Sequence, residues 1–390
     1  MQKDFHYYAT YTAAFLAGYS AEESRQICYA CMFTDHCTEM LLGAIGAPVA
    51  AATTQLQSEM INAPNTILSR QNITRIWSSF HFLPYDLNAE VPKCSRNYRN
   101  KYRLICKPNG SLVADTAELA KNNGSLQAAG LAAHIIADTW AHAYFAGTPS
   151  YVINNTSSWF YEILEENGKE SERKIAFLHS VGDNIEKASY VCTPPTNKEN
   201  SIFNLGHGRA GHLPDMSFIR YKYLPAWGKY ESVTKDNPSD YYHAFCQLIH
   251  LFKYLRGECD SFRLGYYEED PVLPWKEDID TVFRKPQPDP CDDWAALVEK
   301  ITGARIADFD MDEYRNQYMD AAGPDKDNTH AGQYFLAAMA HKSMVTNKIY
   351  KSGNMLAGYS VEYKTSGFHG IKEYSRLLTL MKGGPKDEQR

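Results

Sequence analysis

An alanine-rich, apolar segment between Ser125 and Gly147 contains the sequence His134-Ile-Ile-Ala-Asp138-Thr-Trp-Ala-His142. Serine is a favoured helix N-cap and glycine a typical helix end, so the segment is predicted to be one helix. Residues four apart lie one turn apart on the same helix face. His134, Asp138 and His142 would therefore line one face over two turns, among side chains that otherwise form a core.

Burial of a carboxylate between two imidazoles requires a compensating charge, and a divalent metal ion is the simplest one. The alternative is a polar stripe that is satisfied by hydrogen bonds. Three such residues at this spacing in an apolar helix favour the metal. Zinc usually takes three or four protein ligands, so other parts of the chain must supply the remainder.

Several further imidazoles and carboxylates stand in unusual surroundings. His81 lies between two phenylalanines just before Pro84, and a glycine-rich loop contains His207, His212 and Asp215. Taken singly, each is a weak signal for a metal ligand. The signal is stronger for the loop residues, because they lie close together in the chain. The other candidates are Asp4, His6, Asp35 and His36.

Composition and charge narrow the classes of protein. The chain has 390 residues, of which 44% are hydrophobic and 22% charged, so it can bury a substantial core. A net charge of −6 argues against a general nucleic-acid coat or a basic membrane-surface protein. The polar N-terminus does not resemble a secretory signal, and no uncharged apolar run reaches the ~20 residues of a membrane span. We therefore expect a cytoplasmic protein.

The number and positions of the cysteines agree with a cytoplasmic protein. The count of nine is odd, and reduced thiols are expected. Cys28-x-x-Cys31 resembles a redox or zinc pair. Because no second such pair completes a structural zinc site, we interpret both residues as inert helix cysteines.

The pattern along the chain predicts an all-α fold, a multi-helix bundle with long irregular loops. Residues 1–257 are expected to form a metal-binding helical body. Residues 258–390 would form a helical portion packed on it, unless the two parts are a single domain. Helices are predicted at residues 20–42, 125–147, 157–190 (one or two helices), 240–256, 292–302, 309–321 and 328–348. Loops are predicted at 86–124 and 258–290, irregular structure at 192–238, and a frayed tail after Gly383.

The His134-x-x-x-Asp138 pair, with a further histidine in the same helix, resembles the central motif of the zinc-dependent phospholipase C superfamily. That superfamily includes the zinc-dependent single-strand nucleases, and its members are all-helical and bind up to three zinc ions. A closer resemblance, along most of the chain, is to an uncharacterised bacterial family related to that fold. Its motifs correspond here to residues 3–6, 80–84, 134–142 and 206–215.

The resemblance implies a set of metal ligands drawn from five parts of the chain. One site would use Asp35, His81, His134 and Asp138. Asp138 would bridge to a second site. The ligands implied for the whole cluster are His6, Asp35, His81, His134, Asp138, His142, His212 and Asp215.

Two features depart from the phospholipase pattern. Secreted members use a processed N-terminus as a ligand, whereas this chain starts at Met1, so His6, alone or with Asp4, would replace the amino group. His142 follows Asp138 by four residues, where the phospholipases usually use six.

Carboxylates and imidazoles around two or three metal ions suit metal-assisted hydrolysis, most naturally of a phosphate ester. The substrate would be a lipid, a nucleotide or a nucleic acid, and the metal zinc, with manganese or iron as alternatives. Asp138 would bridge, Asp4 or Asp35 would act as general base, and Arg209 would neutralise a phosphate.

Two other functions remain open from the sequence. A non-catalytic, metal-stabilised scaffold or partner-binding protein would have closed coordination. An HD-type phosphohydrolase needs an adjacent His-Asp pair, whereas this chain has Asp35-His36 in the reverse order.

Overall fold

The central helix of the bundle is α8 (Leu126–Ala141), and all of its residues except the first are buried. It packs against α2 (Ala21–Phe33), α10 (Asn237–Arg256) and α14 (His330–Lys351). This arrangement comes from a computed structural model, which describes residues 1–64, 66–179 and 182–359. The position of α8 places the His134–His142 face in the interior of the protein.

The described residues contain thirteen further α-helices and several shorter helical turns. A π-helix, Asp4–Ala9, precedes the first α-helix. The remaining α-helices are α1 (Thr10–Leu16), α3 (Glu39–Ala44), α4 (Gln57–Asn62), α5 (Ile67–Phe80), α6 (Arg96–Tyr102), α7 (Ser111–Asn123), α9 (Tyr151–Asn154), α11 (Lys276–Arg284), α12 (Cys291–Thr302) and α13 (Asp312–Asp320), with α2, α8, α10 and α14 as above. Short 3-10 helices lie at Val49–Ala51, Ile202–Asn204, Leu213–Asp215, Leu273–Trp275 and Gly323–Asn328.

Side-chain caps explain where the main helices begin. Ser20 and Glu23 form a reciprocal capping box at the start of α2. The hydroxyl oxygen of Ser125 accepts a hydrogen bond from the Ala128 N–H, which starts α8 one residue after the serine. Gly257, with a φ of 85°, ends α10 in the left-handed conformation. The helices predicted at residues 125–147 and 240–256 are therefore present with somewhat different ends, whereas the helix predicted at 20–42 is divided into α2 and α3.

The all-α prediction is wrong, because the segment between α9 and α10 forms two β-sheets. The first is antiparallel, with strand order β2-β1-β5-β6, and the second is a parallel pair, β3-β4. The strands are β1 (Phe160–Glu166), β2 (Lys169–Lys174), β3 (Ala176–Leu178), β4 (Ser189–Val191), β5 (Arg220–Tyr223) and β6 (Val233–Asp236). In the β1–β2 register, Tyr161 lies opposite Lys174 and Glu166 opposite Lys169.

A tight turn accounts for the hairpin that replaces the helix predicted at 157–190. Asn167 and Gly168 join β1 to β2 with φ values of 52° and 72°. Positive φ at both central residues is the geometry of a type I′ turn, for which Asn-Gly is a preferred sequence. Gly168 therefore reverses the chain between paired strands and does not separate two helices.

Two loop predictions also need correction. The segment 86–124 contains α6 and α7, and the segment 258–290 contains α11. The tail after Gly383 lies outside the described residues. Among the described residues, no helix has the length and apolar character that a membrane crossing needs.

Two hydrophobic clusters form the core, and they meet beside the predicted ligands. The larger one extends through the helical bundle and includes residues from Met1 to Ala357, so parts of both 1–257 and 258–359 share it. The smaller one lies around the sheets and includes Phe82, Phe145 and Leu213. The Phe82 ring stacks on His142 with 4.8 Å between ring centroids.

Close contact between α8 and α2 depends on the missing side chain at Gly130. A Cβ atom there would lie 2.2 Å from the Ile27 carbonyl oxygen and 2.7 Å from the Ala30 Cβ atom. We expect Gly130→Ala to lower the free energy of unfolding by about 3 kcal/mol, because the helices must separate. Urea denaturation measures this change.

Gly43→Ala is the matched control, since Gly43 lies in α3 and a Cβ atom there would have no neighbour within 4 Å. That substitution should leave stability unchanged or raise it by up to about 1 kcal/mol. Equal effects of the two substitutions would contradict the packing described for α2 and α8.

Candidate metal centre

Remote parts of the chain converge on one buried point beside α8. They are the N-terminus with its π-helix, the end of α2, the end of α5, and the glycine-rich loop before β5. The side chains and terminal group brought together are Met1, His6, Cys31, Asp35, His81, His134, Asp138, His142, His207 and Asp215. We refer to these ten residues as the cluster.

Asp138 lies at the centre of the cluster with both carboxylate oxygens in use. Its Oδ2 atom is 3.1 Å from His81 Nδ1 and 3.2 Å from His134 Nε2. Its Oδ1 atom is 3.2 Å from His6 Nε2 and 2.8 Å from the Met1 amino nitrogen. The carboxylate is 1% exposed, so one buried group faces ligand atoms on two sides.

Asp35 completes the first group of potential ligands. Its Oδ1 atom lies 3.8 Å from both His81 Nδ1 and His134 Nε2. The Asp35 side chain is 31% exposed, which makes it the most accessible of the carboxylates in the cluster. Together with Asp138 Oδ2, these three residues form a four-ligand set that opens toward solvent.

A second group lies on the other side of Asp138. The Asp215 carboxylate is 3.1 Å from His142 Nε2 through Oδ1 and 3.5 Å from His207 Nε2 through Oδ2. The Met1 amino nitrogen lies 3.2 Å from Asp215 Oδ1 and 3.3 Å from His142 Nε2. The amino group thus contacts both Asp138 and Asp215.

A third, fully enclosed group consists of His6, Cys31 and His134. The Cys31 Sγ atom is 3.6 Å from His6 Nδ1, and the His6 and His134 rings stack with 3.9 Å between their centroids. Burial raises the pKa of the Cys31 thiol well above its usual range, so without a bound ion the thiol is neutral.

Backbone carbonyls fix the orientation of four histidines. Because a carbonyl oxygen can only accept, the ring nitrogen that faces it must carry the proton. His134 Nδ1 donates to the Cys31 carbonyl at 3.0 Å, and His81 Nε2 donates to the Thr53 carbonyl at 3.1 Å. In each neutral ring the other nitrogen then has a lone pair that points toward the carboxylates.

The two histidines of the second group are held in the same way. His142 Nδ1 donates to the His81 carbonyl at 2.7 Å, and His207 Nδ1 donates to the Gly211 carbonyl at 2.9 Å. Metal-ligating histidines in proteins commonly donate their other N–H to a carbonyl or carboxylate in this manner. These four backbone hydrogen bonds therefore orient four imidazole nitrogens so that their lone pairs can bind a cation.

Charge in the cluster is strongly unbalanced without a cation. Burial alone would raise the pKa of Asp138 and Asp215, but attraction to the Met1 ammonium group and to the imidazoles, which are protonated at low pH, holds both pKa values well below the usual range. Burial would lower the pKa of the Met1 amine, yet its attraction to Asp138 and Asp215 raises it to about 11. This ammonium group stands where the carboxylates require positive charge.

His6 and His207 remain neutral at pH 7, because burial lowers the pKa of each to about 4. His6 Nε2 faces Asp138 Oδ1 at 3.2 Å but makes no hydrogen bond of acceptable geometry. The donor set of imidazole and carboxylate atoms fits a divalent metal.

His212, predicted as a ligand, does not reach the cluster. Its side chain is 53% exposed, and Nδ1 lies 2.7 Å from Asp183 Oδ2. His207, which the sequence left undecided, occupies the position beside Asp215. The spacing within the loop did not distinguish the two, because the loop direction depends on turns that have no periodic pattern.

Three other candidates lie apart from the cluster. Asp4 is buried with its Oδ1 atom unpaired, and it makes no hydrogen bond or ion pair with a cluster residue among the described residues. His36 stacks on Phe309 with 5.2 Å between ring centroids. Arg209 lines a separate cleft. Asp35 belongs to the cluster, but its neighbour His36 does not, so the two residues do not form a joint metal-binding pair.

Sequence reasoning missed Met1 and Cys31 as members of the cluster. Cys31 precedes Asp35 by four residues, the same spacing that placed His134 and Asp138 on one face, so a signal for it existed. All nine cysteines are free thiols in the structure, and Cys28 is buried away from the cluster in the same helix.

The chain belongs to DUF6765, a family of unknown function, whose model matches residues 1–349. No curated protein and no solved structure matches the chain. The family match includes every residue of the cluster but assigns no activity to it.

The two loop histidines give a direct test of this geometry. We expect His207→Ala to lower the metal content of the purified protein by about one ion per chain, because His207 faces Asp215 in the second group. His212→Ala should retain the full content, since that side chain pairs with Asp183. Elemental analysis by mass spectrometry measures both, and the opposite ranking would contradict the assignment of His207 as the ligand of this loop.

Proposed function

We propose that this protein is a metal-dependent hydrolase that binds two or three divalent ions, preferably zinc, and cleaves a phosphate ester. The observation that carries the proposal is the convergence of five imidazoles and three carboxylates within a hydrophobic core. A single ammonium group opposes those carboxylates among the described cluster residues. Ionised groups at this density are costly to bury without cations.

The proposed ligands divide into three sets, and Asp138 belongs to the first and the third. The first ion would be held by Asp35, His81, His134 and Asp138, which is the number of protein ligands typical of a zinc site. The second ion would be held by His142, His207 and Asp215, with the Met1 amine, once deprotonated, as a further ligand. His6 and Asp138 Oδ1 would support a third ion.

Bound divalent ions would lower the pKa of a coordinated water from 15.7 to about 7 and stabilise charge that develops on a phosphoryl group. The surrounding protein groups would orient the metal ligands and limit the access of water. The carbonyls of Cys31, Thr53, His81 and Gly211 fix the rings of their histidine partners. The Phe82 ring packs on His142 and excludes water from that side.

Asp35 is the better placed of the two carboxylates considered as proton acceptors. Its Oδ1 atom faces the imidazoles, and the side chain is exposed enough for Oδ2 to accept a proton from water. Asp4 lies on the same π-helix as His6, but its carboxylate has no contact with a cluster side chain in the described residues. We therefore assign the proton-accepting role to Asp35 Oδ2.

A metal-stabilised scaffold without activity is the second candidate. It is favoured by the depth of His6, His134 and Asp138, whose side chains are at most 1% exposed. Hydrolysis is favoured by Asp35, which gives the first group an open side. Activity measured together with metal content separates the two functions.

Asp138→Asn tests the metal centre and the hydrolase together. An amide of the same shape cannot supply two anionic ligand atoms, so we expect the loss of at least one ion per chain. The kcat/KM for bis(p-nitrophenyl) phosphate should fall by at least about 100-fold. Metal content and p-nitrophenol release are measured on the same samples.

Asp320→Asn is the control, since Asp320 is an exposed carboxylate at the end of α13. It should behave as the unmodified protein. Full metal content in Asp138→Asn would refute the assignment of Asp138. Full metal content with no cleavage of phosphate mono- or diesters in the unmodified protein would favour the scaffold.

Removal of metal should also destabilise the fold. An ion present at 1,000 times its Kd contributes about 4 kcal/mol to the folded state. We expect a chelator to lower the Tm by several degrees, because the buried carboxylates lose their partners. Calorimetry on Asp138→Asn should show a much smaller response to the chelator, and equal responses would contradict this coupling.

A further inference from the structure

Arg209 is a buried cation without an ion-pair partner among the described residues. The residue is 7% exposed, and its Nε and Nη1 atoms are enclosed without a hydrogen-bond partner. It forms no ion pair with any of the described residues, although a guanidinium group stays charged at all relevant pH values. Buried charges in proteins are normally paired, so this arrangement indicates an anionic ligand.

The cleft beside Arg209 has room for such a ligand. Its volume is about 630 Å³, and the residues around it include Asn155, Ser157, Ser158 and Asn197. Thr196 adds a further hydroxyl group, and no acidic residue is among the described residues that line the cleft. Arg209 therefore provides a positive charge in surroundings of neutral hydroxyl and amide groups.

A smaller, less polar cavity adjoins this cleft and shares Ser158 and Arg209 with it. Its volume is about 120 Å³, and Ile175 and Phe177 supply apolar surface. A ligand could thus place an anionic group near Arg209 and a less polar group against these side chains.

The Arg209 cleft is separate from the metal cluster in its contacts. His207 and Asp215 lie in the same loop as Arg209 and face the cluster. On the other side of the loop, the Thr193 N–H donates to the Gly208 carbonyl at 2.8 Å. No hydrogen bond or ion pair joins Arg209 to a cluster residue in the part of the chain that the structure describes.

We propose that this cleft binds the phosphate group of a small polar ligand, with Arg209 as its charged partner. A guanidinium group can donate two parallel hydrogen bonds to phosphate oxygens. The surrounding hydroxyl and amide donors suit the four oxygens of a phosphate better than the two of a carboxylate. This site does not depend on hydrolysis at the metal cluster.

Calorimetric titration of the full chain with inorganic phosphate tests the proposal. Arg209→Gln should weaken phosphate binding in the cleft by at least tenfold, because it removes the charge but preserves polarity. Asn197→Asp alters an exposed residue, so it should leave the fold intact and weaken binding several-fold by placing a carboxylate at the cleft. Arg315→Gln, at an exposed arginine of α13, should have no effect.

Titrations with glycerol phosphate and with acetate test which kind of anion the cleft binds. Binding of glycerol phosphate in place of inorganic phosphate, with the same dependence on Arg209 and Asn197, identifies a phosphate ester as the ligand and supports the proposal. Phosphate binding that neither variant changes would overturn it, because phosphate would then bind at the metal cluster alone. Acetate binding as tightly as phosphate would overturn the phosphate assignment. Metal content, measured in parallel, reports on the proposed hydrolase independently.

Discussion

The Asp138 carboxylate, enclosed in a hydrophobic core with imidazoles against both of its oxygens, constrains how the helices of this protein can pack. An unpaired carboxylate at such a position would cost several kcal/mol and would normally become protonated. Here the surroundings hold its pKa well below the usual range instead. The N-terminus, α2, α5 and the glycine-rich loop must therefore all approach α8 for the charge to be compensated.

Helix α14 supports this arrangement without touching the carboxylate. The Tyr334 hydroxyl group of α14 bonds to Thr34 at 3.0 Å and to Thr53 at 3.3 Å. Thr34 precedes Asp35, and the Thr53 carbonyl orients His81. The same helix thus stabilises two parts of the first ligand group, and its apolar residues belong to the core that residues 1–257 and 258–359 share.

Local signals predicted the parts of the fold that have strong local causes. The Ser125 cap and the four-residue spacing of His134, Asp138 and His142 correctly predicted α8 and its buried face. Both signals depend on helix geometry alone. The hairpin was missed because Gly168 was interpreted as a helix break, although Asn167 before it favours a type I′ turn. Strands of three to seven residues show too little alternation to compete with a helical pattern.

Membership of the cluster was harder to predict where tertiary packing selects the residue. His207 and His212 share one loop and one chemistry, and their difference arises from turns that direct the first inward and the second toward Asp183. The Met1 amine reaches Asp138 because the π-helix brings the N-terminus into the core. Neither contact leaves a periodic signal in the sequence.

Anomalous diffraction at the zinc edge, from crystals of protein purified without chelator, tests the metal centre most directly. The proposed metal centre predicts two or three peaks, each about 2.0–2.2 Å from imidazole and carboxylate atoms, with Asp138 bonded to more than one. Density without such peaks, and with the Met1 ammonium group still bonded to Asp138 and Asp215, would contradict it.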